Sequence, residues 1–192
     1  LGKNIDIHMP ICGDVKKILQ KLTDLVSEKQ PNSWNKQIED WKSKYALKNN
    51  APKGQLSPRF IIEKLYALTR GEAIITTEVG QNQMWTAQFY KFNEPRTFIS
   101  SGGLGTMGYG LGAAIGACIG RPDRKVINVA GDGSFKMNST ELATVSRYKL
   151  PIIQLVLNNQ SLGMVRQWQS LFYNKRFSYS TLIPDVDFVK LA

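Results

Sequence analysis

Two short stretches of this 192-residue chain have residue types and spacing that could do chemistry. In "VAGDGSF", residues 129–135, an apolar run ends and a carboxylate, Asp132, stands between Gly131 and Gly133. In "LVLNNQSLGM", residues 155–164, Asn158 and Asn159 end the next apolar run, with Asn159 lying 27 positions after Asp132. A carboxylate, an amide oxygen and a nearby backbone carbonyl are hard oxygen ligands, suited to a magnesium ion that keeps some water and completes its octahedron with phosphate oxygens. A bare carboxylate in a glycine turn would expel phosphate, because like charges about 4 Å apart repel by about 4 kcal/mol at an effective dielectric of about 20. Holding a divalent cation, the same carboxylate recruits phosphate. The flanking glycines let the backbone turn tightly, and the amides of "GSF" donate to phosphate oxygens. Taken alone, "GDG" reads as a β-turn and Asn is common after strands. The two together, at the length of one βαβ unit, form the specific signal.

The elements that must position these residues alternate regularly after Ser57 and Pro58, a helix entry with proline in its first turn. Helix "RFIIEKLYALT" precedes strand "AIITTEV", a helix around "QMWTAQFY", strand "TFIS" and a glycine-rich helix. Strand "KVINVA", helix "STELATVSRY", strand "IIQLVL" and helix "GMVRQWQSLF" follow. The strands are short, β-branched and nearly continuous in hydrophobicity, as strands covered on both faces are. The pattern predicts an α/β fold with a doubly wound parallel sheet and helices on both faces. Ligands of such sheets gather at the carboxyl ends of the strands, here the loops "EVGQNQ", "SSGGLGTM", "AGDGSF" and "LNNQSLGM".

Upstream, "IDIHMPICGD" reads as extended and "VKKILQKLTDLVSEK" as a helix, with no core of their own. Trp34, Ile38, Trp41 and Tyr45 form one apolar stripe on a further helix, read as packing, and "KNNAPKGQLSP" supplies turn and linker chemistry. Residues 1–30 are therefore expected to be the tail of a preceding domain, 31–56 a linker helix and loop, and 57–192 a cofactor domain cut short at its carboxyl end. The start, "LGKNIDIHMP", has neither methionine nor an apolar signal core and reads as a chain entered in its middle.

A 42% hydrophobic and 21% charged composition describes an ordinary globular protein. The net charge of +10 is spread along the chain without a dense basic block or a nucleic-acid-reading motif, so no nucleic-acid partner is expected, and anionic small molecules fit the charge equally well. Cys12 and Cys118 read as reduced core residues of a cytoplasmic protein, and a single histidine, His8, removes histidine metal clusters. Residues 99–120 carry no charge and space Gly108, Gly112, Gly116 and Gly120 four apart. With so many glycines this reads as a helix packed closely on a sheet, not as a membrane span.

"GDGSF" followed by "LNN" resembles the thiamine diphosphate signature. "TTEVGQNQMW", "SGGLGTMGYGLGAAIGA" and "GMVRQWQSLFYNKRFS" resemble the large subunit of the acetolactate (acetohydroxyacid) synthases, from about residue 57 to the end. "LGKNIDIHMPICGDVK" more weakly resembles the end of that family's central domain. The resemblance implies magnesium held by Asp132, Asn159 and the Ser161 carbonyl. It implies thiamine diphosphate lined by Gly80, Gln81, Asn82, Gly105, Gly131, Gly133, Ser134, Gly163 and Met164, with Met107 as the wedge beneath it. Met107 also reads as simple helix core.

The activity implied is decarboxylation of pyruvate and transfer of its two-carbon unit to pyruvate or 2-ketobutyrate, in branched-chain amino-acid synthesis. Trp168 would border the second-ketoacid site, and reads equally as a core aromatic with Met164 and Phe172. The resemblance further implies a homodimer or homotetramer and, in some members, a small regulatory subunit and FAD bound mainly by the central domain. It places no catalytic residue in this chain, because the activating glutamate belongs to an amino-terminal domain. Two positions depart from the family: Asn82 stands where histidine is usual, leaving an amide to donate to phosphate, and Gly112 where proline is.

Overall fold

The computed structural model describes residues 2–47 and 56–191, and the chain divides into two compact units, Leu1–Asn49 and Asn50–Ala192. In the first unit, α1 (Val15–Leu25) is opened by Asp14, whose carboxylate accepts from the Lys17 N–H at 3.0 Å. Helix α2 (Ser33–Lys44) is opened by a reciprocal cap between Asn32 and Asn35. Helix α1 stops before the expected Lys29. The Thr23 hydroxyl bonds back to the Leu19 carbonyl at 2.8 Å and Val26 turns extended, so the last turn is weakened from both sides. "IDIHMPICGD" forms no strand. Trp34 and Trp41 meet edge to face at 5.5 Å, yet both stay largely exposed, as does Tyr45, so the stripe finds no core within this unit. Cys12, expected inside, is exposed. The turn-and-linker reading of 48–55 falls outside the described residues.

The second unit runs α3 (Pro58–Thr69), β1 (Ile74–Thr77), α4 (Gln81–Phe89), β2 (Phe98–Ser100), α5 (Tyr109–Gly120) and β3 (Val126–Gly131). It continues with α6 (Asp132–Asn138), a 3-10 turn at Ser139–Glu141, α7 (Leu142–Tyr148), β4 (Ile152–Leu157), α8 (Gly163–Phe172) and a short α9 (Phe188–Leu191). The four strands are all parallel in the order β2-β1-β3-β4, so the chain forms the expected α/β sheet. Helix α3 starts at the Ser57-Pro58 entry, the Ser57 hydroxyl accepting from the Phe60 N–H at 3.1 Å.

Alternation along the strands divides the core. Ile75, Ile127 and Val129 pack with Ile62 of α3 and Tyr90 on one face, while Ile74, Val126 and Ala130 pack with Leu111, Ala114 and Cys118 of α5 on the other. Fully burying such side chains contributes about 1.5–3 kcal/mol each. On the α5 face, three polar residues stand in register: the Thr76 hydroxyl donates to Asn128 Oδ1 at 3.0 Å, and Asn128 Nδ2 donates to Gln154 Oε1 at 2.9 Å.

The glycine row of α5 behaves differently from its sequence reading. A Cβ at Gly112, Gly116 or Gly120 would meet open space, whereas at Gly110 it would lie 2.5 Å from Asn128 Oδ1, 2.7 Å from the Glu78 nitrogen and 2.8 Å from the Thr77 carbonyl carbon. Close approach to the sheet is made by Gly110, outside the four-residue row. Gly110→Ala is expected to destabilise the chain by about 1–3 kcal/mol through overpacking against backbone. Gly112→Ala is expected to be neutral or to stabilise by up to about 1 kcal/mol, as alanine does for glycine in a helix. Urea denaturation of the two variants side by side checks the contrast.

Candidate functional site

Residues at the carboxyl ends of β1, β3 and β4 line a cavity of about 780 Å³, within the usual range for a cofactor-sized ligand. Chain connections make the opening: β1 feeds α4 on one face of the sheet, neighbouring β3 feeds α6 on the other, and the crevice lies where they part.

Helices that begin at the cavity have no side-chain cap; away from it the same holds for α7, which continues the 3-10 turn before it. Helices α1, α2 and α3 have side-chain caps from Asp14, Asn32 and Ser57. Helices α4, α6 and α8, which start at Gln81, Asp132 and Gly163 on or beside the cavity wall, have none. Their first N–H groups lack a side-chain partner and carry the positive end of the helix dipole, which suits them to an anion.

Twelve of the thirteen residues named from sequence for cofactor or metal line this cavity: Gly80, Gln81, Asn82, Gly105, Met107, Gly131, Gly133, Ser134, Asn159, Ser161, Gly163 and Met164. Trp168 joins them, 57% exposed and edge to face with Phe172 at 5.4 Å, so it is not a core aromatic. Met107 sits in the turn before α5, not inside the helix. Asp132 alone does not line the wall; it is buried behind it, between two glycines that do.

The register brings Gly131 beside Leu157, so Asp132 and Asn159 leave adjacent strands as the spacing requires. Asp132 is 3% exposed and its Oδ1 has no hydrogen-bond partner. Oδ1 of Asn159 accepts from the Ser161 N–H at 3.1 Å. Residue 161 pairs with Thr181 across an antiparallel bridge closed by Leu162 N–H to Ser180 O and Leu182 N–H to Gln160 O. In that pattern the Ser161 carbonyl points away from the 180–182 segment. A buried carboxylate oxygen without a partner, at the end of the strand adjacent to the one that leads to an amide and a carbonyl, fits a hard cation. Among the described residues no group of three or more His, Cys, Asp or Glu forms a metal cluster.

Two expectations need correction. "GDG" is not a turn: Gly131 has an ordinary extended backbone (φ −85°) and Asp132 begins α6, a helix the sequence reading began only at Ser139. Gly133 is closely covered, since a Cβ there would come within 2.8 Å of the Leu162 Cδ2 methyl and 3.0 Å of the Leu182 Cδ1 methyl, side-chain ends that would have to shift. The side chain of Asn82 does not offer an N–H to a ligand. Its Nδ2 donates to the Glu78 carbonyl at 2.9 Å and the Val129 carbonyl at 3.0 Å, which uses both of its hydrogens and leaves Oδ1 facing Gly80 and Gly131. Gln81 donates to Gln167 of α8 at 2.9 Å, joining the first loop to the last. Ser134 donates its hydroxyl to the Val79 carbonyl at 2.6 Å, tying α6 to the β1 loop.

Sequence reasoning missed Glu78. It is fully buried at the end of β1, and its Oε2 and Oε1 accept from the N–H groups of Gly108 (2.7 Å) and Leu111 (3.2 Å). Burial pushes its carboxyl above the ordinary 4.5, against the opposing pull of those N–H groups. An acid inside an otherwise uncharged strand end, "ITTEVG", was the available signal. Trp85, Tyr173 and Arg176 also line the cavity without having been named.

Residues 78–192 match the family described as thiamine pyrophosphate enzyme, C-terminal TPP binding domain. Over its whole length the chain is 42% identical to the acetolactate synthase isozyme 3 large subunit of Escherichia coli and 46% identical to an acetolactate synthase large subunit of Buchnera aphidicola. Over 95% of its length it is 45% identical to a chloroplastic acetolactate synthase of Nicotiana tabacum. It covers 35%, 34% and 28% of those proteins, so it spans about a third of the relatives it matches.

Asp132→Ala is expected to raise the stability of the metal-free chain by about 1–3 kcal/mol, by removing an unsatisfied buried oxygen, while magnesium ceases to raise the melting temperature. Calorimetry with and without magnesium reads both effects. For Glu78, the raised folded-state value means its stabilisation is fully present below pH 4.5 and lost as pH rises through that value. The stability difference between wild type and Glu78→Gln should therefore shrink upward from pH 4.5 and then level off, as followed by urea denaturation at a series of pH values.

Proposed function

This chain belongs to the thiamine pyrophosphate enzymes and carries their C-terminal cofactor-binding domain, and from that premise we propose that it serves an acetolactate synthase. The whole enzyme decarboxylates pyruvate and joins the two-carbon unit to a second 2-ketoacid, pyruvate or 2-ketobutyrate, at the entry to branched-chain amino-acid synthesis. The observation that carries this reading is the convergence of three uncapped helix starts and the unpartnered Asp132 oxygen on one cavity.

Residues of this chain bind and orient. Asp132, Asn159 and the Ser161 carbonyl would hold magnesium, and the backbone N–H groups at the starts of α4, α6 and α8 would hold the diphosphate. Gly133 leaves room for close approach, and Met164 and Trp85 supply apolar wall. Met107, apolar and adaptable, would press on the middle of the cofactor and hold its two rings together. When bound, thiamine diphosphate supplies a carbon nucleophile that adds to the ketoacid and accepts the electron pair released with carbon dioxide. Trp168 and Arg176 line the cavity and are exposed; there they would meet a second ketoacid, and the aromatic ring would sort acceptors by size.

An acid–base glutamate would be supplied from outside this chain. A partner copy and domains preceding this one would complete the site, with any flavin held there. Further proposals are a homodimer or homotetramer, an accessory regulatory subunit and a cytoplasmic location, the last in keeping with two unpaired cysteines. Among the described residues no helix is long and apolar enough to cross a membrane.

Full-length polypeptide given pyruvate, thiamine diphosphate and magnesium is expected to form acetolactate. Asp132→Ala should reduce the rate at least about 100-fold, as loss of cofactor positioning does. The 192-residue chain alone is expected to form none. Acetaldehyde or acetyl phosphate as the main product would assign a different thiamine diphosphate reaction, and turnover by the isolated chain would remove the need for an outside glutamate.

A further inference from the structure

Met107 reaches the cavity on the turn that leads into α5, far along the chain from the loops after β1 and β3. A helix start is usually held by its own N-cap side chain, but the N-cap of α5 is Gly108, which has none. The cap comes instead from 30 positions upstream, where Glu78 accepts from the N–H of Gly108 and the N–H of Leu111. From the other side, Asn138 of α6 donates to the Gly108 carbonyl at 3.1 Å, and Gly110 rests on Thr77 and Asn128. The residue beside Met107 is thus gripped by β1 and α6, the same elements that present residues 80–82 and 131–134 to the cavity.

We propose that Glu78 is a positioning residue that fixes Met107 relative to the phosphate-binding loops, and so sets how the reacting end of thiamine diphosphate sits over its anchored end. This rests on the functional reading above. Only a carboxylate serves here. Two N–H groups converge on one side chain, each needs an acceptor, and a glutamine of the same shape offers one oxygen and turns an NH₂ against the other donor. The carboxylate itself faces two backbone donors and is closed off from solvent, so its reach ends at the turn and it acts on the cofactor only through Met107.

The test is a double-mutant cycle in the full-length polypeptide with Glu78→Gln, Met107→Ala and the two combined. Turnover is followed together with thiamine diphosphate affinity by tryptophan quenching, since Trp85 and Trp168 line the cavity. Glu78→Gln is expected to lower kcat about 10- to 100-fold, the scale of a misplacement near 1 Å, and to change magnesium-dependent cofactor affinity less than about threefold. In the Met107→Ala background the same change should lower kcat by no more than about twofold, because the side chain it positions is gone. An undiminished effect in that background, or wild-type kcat in Glu78→Gln, overturns the proposal. If the wild type binds thiamine diphosphate without ligating pyruvate, the functional reading fails. The cycle is then decided on affinity, where coupling between the two changes supports positioning and additivity overturns it.

Discussion

A helix begins with N–H groups that have no partner inside it, and a partner for each must come from somewhere. This chain resolves that constraint in two ways. At α1, α2 and α3 a side chain supplied by sequence neighbours, and at α5 one supplied by Glu78, closes the helix start, while α7 simply continues the 3-10 turn before it. At the cavity, α4, α6 and α8 stay open. Anion affinity is therefore built mostly from backbone. Among the described residues lining the cavity Arg176 is the one cation, and the chain's large positive charge lies elsewhere.

Asp132 belongs to the same logic with the opposite sign. An unpartnered buried carboxylate oxygen weakens the fold by itself, and native chains retain such groups where a ligand completes them. Around it the protein is tightly specified: Gly131 lies beside the Asn82 oxygen, Gly133 beneath two leucines, and Asn82 is locked to two backbone carbonyls. Asp132 Oδ1 is left without a partner amid groups whose own hydrogen bonds are made.

Much of this was legible from sequence because it depends on period and spacing. Strands of β-branched residues alternating with helices specify a parallel sheet, and the interval between Asp132 and Asn159 specifies adjacent strands. What was not legible depends on contacts between distant segments. Helix α6 begins with Asp-Gly-Ser, poor helix formers, and forms because Phe135 is buried against Leu111 and Ala130. Which glycine of α5 touches the sheet follows from the register of β1 with β3, which places Asn128 beneath Gly110. The orientation of Asn82 follows from two carbonyls, one of them 47 positions away. The Trp34 stripe and Cys12 look like core in sequence and are exposed, since apolar pattern states what a face needs and not where its cover is.

The docking of α5 also orders events in time. Its seat is made of Thr77 and Glu78 from β1 and Asn128 from β3, and its turn is clasped by Asn138, which follows β3 in the chain. None of these is near α5 in sequence, so the seat exists only once β1 and β3 have paired across the intervening segment, the slow non-local step in parallel sheets. The cavity is thus a late product of folding. A ligand that binds only the finished cleft favours, by mass action on the native state, chains that have already closed the sheet.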